Sequence, residues 1–402
     1  MSHPHFADAE YLLDGFEHVE TINEFRARLK LGRPLRIKLG IDPTSPDLHL
    51  GFMVVLHKLQ RFAETGHDVT LIIGDFTAKI GDPSGRKVTR PQLTDEEIEA
   101  NMRTYREQAG KVLDLERVRV RYNSEWLGKL SVADLIRLLA KTTVAQMLER
   151  NDFHERYVSG EPISLHELLY PVAQAYDSVA IQADVELGAI DQLFNLLLGR
   201  HYQREFGQLP QICAMTPLLV GLDGTMKMSK SLGNYVGISE PPQTQFGKLM
   251  SIPDGLMPTY ARYAAFRSQA DADKLAADPA AGRADPMLEK KRLAEEIVAR
   301  YHGAASAAAA ADYFERTVQR RELPTDGLAE LPIGEAARVV DVIVKAGFAE
   351  SRRAAERLIS GNGVKVDGIA VSDPKALWTA TEPAVLSVGA RKFVRVVPNA
   401  MT

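Results

Sequence analysis

Apolar positions change their spacing along the chain, and each change marks an element. From Leu35 to Ile41, Leu35, Ile37 and Leu39 alternate with Arg36 and Lys38, a period of two that predicts a strand. Asp42-Pro43-Thr44 then turns the chain, and Leu50 to Phe62 carries apolar residues at helical spacing. Val69 to Ile73 gives a second strand. Further on, Thr94-Asp95-Glu96-Glu97 is a capping box ahead of a helix to about Val112, and Val132 to Arg150 reads as one amphipathic helix. Ser164-Leu165-His166-Glu167 is a second capping box, so a helix starts there and places Tyr170, Gln174 and Asp177 on one face. Pro171 inside that helix is expected to remove one backbone hydrogen bond and bend it. Strand-then-helix alternation is the pattern of an α/β protein with a doubly wound parallel sheet.

The last third reads differently. Residues 268 to 332 are rich in alanine, with breaks at Asp278-Pro279-Ala280-Ala281-Gly282 and Leu323-Pro324-Thr325-Asp326-Gly327. Gly303 to Ala311 is low in complexity but helix-prone. Ile333 to Ala346 and Ser351 to Ile359 predict two short helices. Gly361-Asn362-Gly363 is a turn, and Val364-Lys365-Val366-Asp367-Gly368 opens a small sheet that ends in Lys392-Phe393-Val394-Arg395-Val396. The net charge of −4 is uneven. From Leu331 to Thr402 ten Lys/Arg face seven Asp/Glu, a balance of +3, which leaves −7 for the rest.

Composition excludes several classes. With 402 residues, 45% hydrophobic and 25% charged, the chain has room for two or three globular domains. Cys213 is the only cysteine, and the ten histidines show no metal-ligand spacing, so disulfide scaffolds and cysteine-rich zinc sites are excluded. No apolar run reaches membrane-spanning length, and Met1-Ser2-His3-Pro4-His5 is not a signal peptide, so a cytoplasmic protein is expected.

Chemistry concentrates in two places that are far apart in sequence. Pro43-Thr44-Ser45-Pro46-Asp47-Leu48-His49-Leu50-Gly51 lies where a strand gives way to a helix, a junction whose free N–H groups favour phosphate. Thr44 and His49 can donate hydrogen bonds to a phosphate whose charge grows as its bond to the α-phosphorus breaks. Gly51 would let an adenine ring approach the backbone. Lys227-Met228-Ser229-Lys230-Ser231 lies on a glycine- and serine-containing loop that can close over the same charge. Taken alone, that loop is an ordinary solvated basic segment; the upstream motif changes its meaning. The stripe of Tyr170, Gln174 and Asp177 suits an amino-acid ammonium and a polar group at the far end, and Asp82 can add a carboxylate to the same ammonium. An ordinary wet helix face is the competing reading. Trp126 and Phe153 read as packing residues.

In this order and spacing the two motifs resemble the HIGH and KMSKS motifs of class I aminoacyl-tRNA synthetases. The resemblance to bacterial tyrosyl-tRNA synthetases extends over nearly the whole length. It includes Gly74-Asp75-Phe76-Thr77, Gly81-Asp82-Pro83-Ser84-Gly85-Arg86, Tyr170-Pro171-Val172-Ala173-Gln174-Ala175-Tyr176-Asp177, Asp191-Gln192, and Pro217 to Gly224 leading into the lysine loop. It implies a Rossmann-like catalytic domain at 1–237 with a helical insertion near 124–160, a helical domain on the tRNA anticodon side at 238–330, and a small α+β RNA-binding tail at 331–402. It implies L-tyrosine, ATP with Mg2+, and tRNA(Tyr) as partners, and a homodimer formed through the inserted helices. Tyrosine would be activated to tyrosyl-adenylate and then passed to the 3′ end of the tRNA.

By the same resemblance Thr44, His49, Lys227 and Lys230 stabilise the leaving pyrophosphate. Gly51, Asp191, Lys230 and Ser231 bind ATP, with Asp191 on the ribose. Tyr170, Gln174 and Asp82 hold the ammonium with Asp42 close by, Gln192 lines the amino-acid pocket, and Asp177 reads the phenolic hydroxyl. Arg352, Arg353 and Arg357 in the tail meet RNA phosphates. Three positions depart from the family pattern. Phe52 stands where a second histidine is usual, Ala189-Ile190 where glycine and a hydroxyl residue are usual, and Leu193 where a lysine, arginine or tryptophan is common. Two competing readings are an RNA-binding protein that keeps the fold without the activity, which Phe52 and Ala189 favour, and a tryptophan-specific synthetase.

Overall fold

A computed structural model describes residues 3–84, 93–280, 282–320, 328–334, 336–379, 382–389 and 392–398. The expected break at 323–327 and the Gly85-Arg86 end of the 81–86 motif lie outside the described residues. Two compact units divide the chain, Met1–Pro241 with Lys248–Tyr301, and Pro242–Gly247 with His302–Thr402. Helices of the 238–330 stretch fall in both.

The larger unit is built on strands β1 (His18–Glu20), β2 (Arg36–Ile41), β3 (Asp68–Ile73), β4 (Val118–Tyr122), β5 (Val185–Ala189) and β6 (Ile212–Thr216). They lie in the order β1-β6-β5-β2-β3-β4. Neighbours from β6 to β4 run parallel, and β1 joins the edge antiparallel to β6. The chain winds outward from β2 through β3 to β4, then returns to start β5 on the other side of β2. A crevice therefore opens beyond the carboxyl ends of β2 and β5, the point where a doubly wound sheet binds its ligands.

Three helices frame that crevice: α1 (Leu50–Glu64), α2 (Leu169–Ile181) and α3 (Leu193–Glu205). The inner residues Met53, Leu56, Leu59 and Phe62 seat α1 on the sheet with at most 1% exposure. Both faces of a parallel sheet are covered, which explains a feature of β2. Lys38 alternates with apolar neighbours as a surface residue would, yet it is only 1% exposed and faces Glu186 of β5 across 3.0 Å.

Three expectations need correction. The segment 132–150 is not one helix but Val132–Leu139 and Val144–Met147, followed by Asn151–Ser159. Thr143 starts the second piece with its own capping box to Gln146, and Ser131 with Asp134 starts the first. A cap side chain offers the backbone an exit from the helix, and here it wins over apolar periodicity. Pro171 does not bend α2, because α2 begins at Leu169 after a 3-10 turn at Leu165–Leu168, which puts the proline in the first turn. An amide there has no intrahelical partner to lose. In the smaller unit Ile333 ends a strand, Glu330–Ile333, and the helix starts only at Val339.

That smaller unit carries a five-stranded sheet in the order Ile369–Ala370, Val364–Val366, Ala384–Val388, Lys392–Pro398, Glu330–Ile333. The helices Val339–Lys345 and Arg352–Ser360 pack on it through Val342, Ile343, Ala355 and Ile359, against Val364, Leu386 and Val396. No helix among the described residues is long and apolar enough to cross a membrane.

Candidate active site

A cavity of about 460 Å³ fills the crevice. Thr44, His49, Gly51, Asp82, Tyr170, Gln174, Asp177, Asp191, Gln192, Lys227 and Ser231 all line it, although they are spread over nearly 190 positions of sequence. Lys230 is turned aside, and Arg352, Arg353 and Arg357 belong to the other compact unit.

The closed end is organised around Asp177 on α2, 4% exposed. Its Oδ1 accepts the indole N–H of Trp126 at 2.7 Å and its Oδ2 accepts the Asn123 amide at 3.4 Å. Asn123 is held in turn, donating to Thr77 Oγ1 (3.0 Å) and accepting from the Phe76 amide (2.9 Å). Burial pushes the Asp177 carboxyl up to about 7, against the opposing pull of Lys38 and the Trp126 hydrogen bond. Beneath lies the Lys38–Glu186 pair. Glu186 also accepts from Ser178 Oγ (3.1 Å), Gln174 Nε2 (3.3 Å) and Gln211. Gln174 Oε1 is buried and accepts no hydrogen bond among the described residues.

Next to this end, the Tyr170 hydroxyl donates to Asp42 Oδ2 (2.9 Å) and Thr77 Oγ1 donates to Asp42 Oδ1 (2.7 Å). Gly74 is required here, because a Cβ would collide with both Asp42 Oδ1 and Thr77 Oγ1. Asp82 accepts from Ser84 N (2.8 Å) and Ser84 Oγ (2.6 Å) on one oxygen and from Gln192 Nε2 (3.0 Å) on the other. The three side chains read from sequence as an ammonium site, Asp82, Tyr170 and Gln174, thus line the same cavity.

At the open end His49 caps α1. Its Nδ1 accepts the Gly51 amide at 3.2 Å, so Nε2 carries the proton and can donate. Burial, with Lys230 adding, pushes this imidazole down to about 3, which leaves it a neutral donor at physiological pH. Gly51 has a reason of its own to be glycine: a Cβ there would stand 2.9 Å from His49 Cε1, so the glycine makes room for the imidazole. Leu50 N donates to Val236 O (3.0 Å) and Ile238 N to Leu48 O (3.1 Å), tying this motif to the segment just after the lysine loop.

The lysine loop is a short hairpin, with Met228 N to Leu219 O at 2.7 Å and Gly221 N to Met226 O at 2.8 Å. Asp223 clamps its tip by accepting the Thr225 and Met226 amides, which hold that carboxyl down at about 2. Lys227 Nζ lies 2.8 Å from Asp191 Oδ2, and Lys230 Nζ donates to Ser45 Oγ (2.6 Å) and to the Asp47 carbonyl. Burial lowers the Lys230 pKa although the Asp47 charge opposes it. Both lysines are thus held by groups of the protein itself. Phe52 packs beside His49, ring centroids 4.7 Å apart, and Ala189 closes the wall at the end of β5.

Sequence reasoning missed Asn123, Lys38, Glu186, Ser84, Arg150 and Asn195, and it read Trp126 as packing alone. Lys38 carried a faint signal, a charge on a strand whose sheet must be covered on both faces. For Asn123 and Arg150 none existed, since each gains its role from partners about 45 to 70 positions away.

A family model described as tRNA synthetases class I (W and Y) matches residues 30–319, and an S4 domain model matches 337–377. The tyrosine–tRNA ligase of Moorella thermoacetica is 51% identical over 93% of this chain and 90% of that protein, and the one of Aquifex aeolicus 49% identical over 93% and 94%. The chain belongs to the tyrosine–tRNA ligase family. Among solved structures, the tyrosyl-tRNA synthetase of Archaeoglobus fulgidus complexed with L-tyrosine superposes with a TM-score of 0.62 at 25% identity, covering 75% of this chain and 98% of that one. Family membership carries the class I synthetase fold, ATP use and a C-terminal S4 domain with it. It also turns the choice between tryptophan and tyrosine towards tyrosine, since the relatives at about half identity are tyrosine–tRNA ligases.

Proposed function

We propose that the cavity binds L-tyrosine with its phenol at Asp177 and its ammonium among Asp82, Tyr170, Gln174 and Gln192. ATP then lies at the open end, ribose towards Asp191 and phosphates towards Thr44, His49, Lys227, Lys230 and Ser231. The tyrosine carboxylate attacks the α-phosphorus, pyrophosphate leaves, and the tyrosyl group passes to the terminal ribose of tRNA(Tyr). No side chain acts as a covalent nucleophile; orientation and electrostatic stabilisation carry the rate.

The observation that carries this reading is the buried Asp177 at the closed end, flanked by the N–H donors of Trp126 and Asn123. Those donors fix the carboxyl so that a hydroxyl, and not a bare ring edge, satisfies it. At the other end the Lys227–Asp191 pair is partly exposed, and such a pair contributes at most about 1 kcal/mol, so a polyphosphate and a ribose can take it apart. Among the described residues Lys230 has only neutral oxygens as hydrogen-bond partners, and an incoming phosphate would supply an opposite charge. Among the described residues no group of three or more His, Cys, Asp or Glu side chains is placed to hold a metal. In this reading Mg2+ arrives on the phosphates of ATP and neutralises part of their charge.

Residues 1–237 are catalytic in this scheme, 238–330 serve the anticodon side of the tRNA, and 331–402 grip RNA. Arg353 and Arg357 lie exposed four positions apart on one helix, while Arg352 is held by Asp341 at 2.6 Å. The segments 132–139, 144–147 and 151–159 expose Val132 (76%), Val144 (65%) and Val158 (70%), apolar surface that a second copy of the chain would cover in a homodimer. The cytoplasm is the compartment that fits a translation enzyme.

Tyrosine-dependent exchange of labelled pyrophosphate into ATP tests the scheme, with tryptophan and phenylalanine run alongside. Exchange with tyrosine alone is expected. Folded protein without exchange would favour an RNA-binding relative without activity, the reading that Phe52 beside His49 supports.

A further inference from the structure

Arg150 immediately precedes the helix Asn151–Ser159, and nothing in the scheme above uses it. Its side chain is 5% exposed. Nη1 donates to Asn195 Oδ1 (3.1 Å), Nη2 donates to Ser84 Oγ (2.6 Å), and Nε lies 2.7 Å from Asp152 Oδ1. Nη2 is also 3.5 Å from Asp82 Oδ1. Asn195, held on its oxygen by Arg150, donates its amide to Gln192 Oε1 (2.9 Å). Gln192 Nε2 donates to Asp82 Oδ2 and to Ser84 Oγ, both at 3.0 Å. Ser84 Oγ, accepting from Arg150 and Gln192, directs its own proton to Asp82 Oδ1. Five side chains thus close a ring in which each hydrogen bond has one possible direction.

That directionality separates the ring from an arginine merely filling space. Arg150 has donors only, so it compels Asn195 to present its amide N–H, and not its oxygen, to Gln192. Gln192 is compelled in turn to present N–H to Asp82. The order of donors therefore ends on Asp82, with both carboxylate oxygens held in place.

We propose that Arg150 is a positioning residue for the ammonium subsite, setting the orientation of Asp82 and Gln192 through Ser84 and Asn195; this rests on the reading of that subsite given above. Arg150 touches no substrate. Its removal lets the Asn195 and Gln192 amides turn over and frees Asp82 to rotate, and small misplacements of this kind are costly at a binding site. A lysine reaches one of the two arms but cannot serve both with the planar fork of a guanidinium.

Titration calorimetry on the full-length chain tests this with two ligands. L-Tyrosine uses the ammonium subsite; 3-(4-hydroxyphenyl)propionate keeps the phenol and the carboxylate but has no amine. In Arg150→Met the Kd for tyrosine is expected to rise about tenfold or more, and in Arg150→Lys by less. The Kd for the propionate should stay within about twofold, against the 1.4 kcal/mol that a tenfold change represents. Equal weakening of both ligands would show a general structural role and overturn the assignment, as would no weakening of either. Should Arg150→Met fail to fold, Asp152→Asn loosens the Nε anchor while keeping its shape, and the same selective loss is expected on a smaller scale. Wild-type protein that binds the propionate but not tyrosine more tightly would overturn the ammonium subsite itself, separately from the role of Arg150.

Discussion

At the Asp177 end of the cavity the polar groups are buried and take their partners from helices and strands, whereas at the Lys227 end the charges ride on loops and stand partly exposed. Asp177, Asn123 and Trp126 are each held by neighbours that are held themselves. Lys227 and Lys230 are instead held by Asp191, Ser45 and the Asp47 carbonyl, partners that would be exchanged if phosphates bind as proposed. The closed end is suited to choosing a substrate, since an unsatisfied buried group penalises the wrong one. The open end is suited to following charge as it moves, since donors that tighten only in the transition state raise the rate.

Substitutions can break that contrast. Lys230→Ala removes a donor to the leaving charge and should slow pyrophosphate exchange by about 10²–10³-fold, with tyrosine affinity by calorimetry unchanged. Comparable loss of tyrosine binding would mean that the two ends are not separate. Asp177→Ala acts at the other end. A hydrogen bond to a charged group is worth about 1.5–3 kcal/mol, so preference for tyrosine over phenylalanine should fall roughly 10–150-fold in the exchange assay while the KM for ATP holds. Unchanged preference would remove Asp177 from the phenol site.

Phe52→His restores a donor beside His49, and the exchange rate should stay within about tenfold, or 1.4 kcal/mol of barrier; a much larger gain would mean that the native open end is impaired. A separate effect concerns the pH dependence of stability. Folded Asp177 holds its proton up to about 7, while the unfolded carboxyl, ordinarily near 3.8, releases it well below that. The native state therefore binds the extra proton between those values, and stability is lost as pH rises through that window. Asp177→Asn has no such group, so its unfolding temperature should gain on wild type from pH 5 to pH 8. A constant difference would place the titration elsewhere.

Much of this site was legible in one dimension. Thr44, His49 and Gly51 announce themselves through a strand-turn-helix junction, and Tyr170, Gln174 and Asp177 through helical spacing, because local periodicity decides which side chains share a face. The lysine loop gained its meaning only in combination with the upstream motif. What escaped was relational. Trp126 looked like packing because an indole carries no mark of the carboxylate it will donate to. The 132–150 segment looked like one helix because apolar spacing continues across Thr143, whose side chain ends one helix and begins the next.

The sequence by itself determined the strands near 35–41 and 69–73, the strand-turn-helix junction that carries His49, the shared face of Tyr170, Gln174 and Asp177 and the sign change in the tail, since all of these follow from residue type and near-neighbour spacing. Tertiary structure decided which distant groups would complete them. It set Lys38 against Glu186 between two parallel strands, gave Asp177 the donors of Asn123 and Trp126, and led Arg150 to the rear of Asp82. The physical reason is the same in each case. A buried charge or amide must find a partner, and which partner lies within 3 Å depends on how the chain folds back on itself and not on the residues beside it.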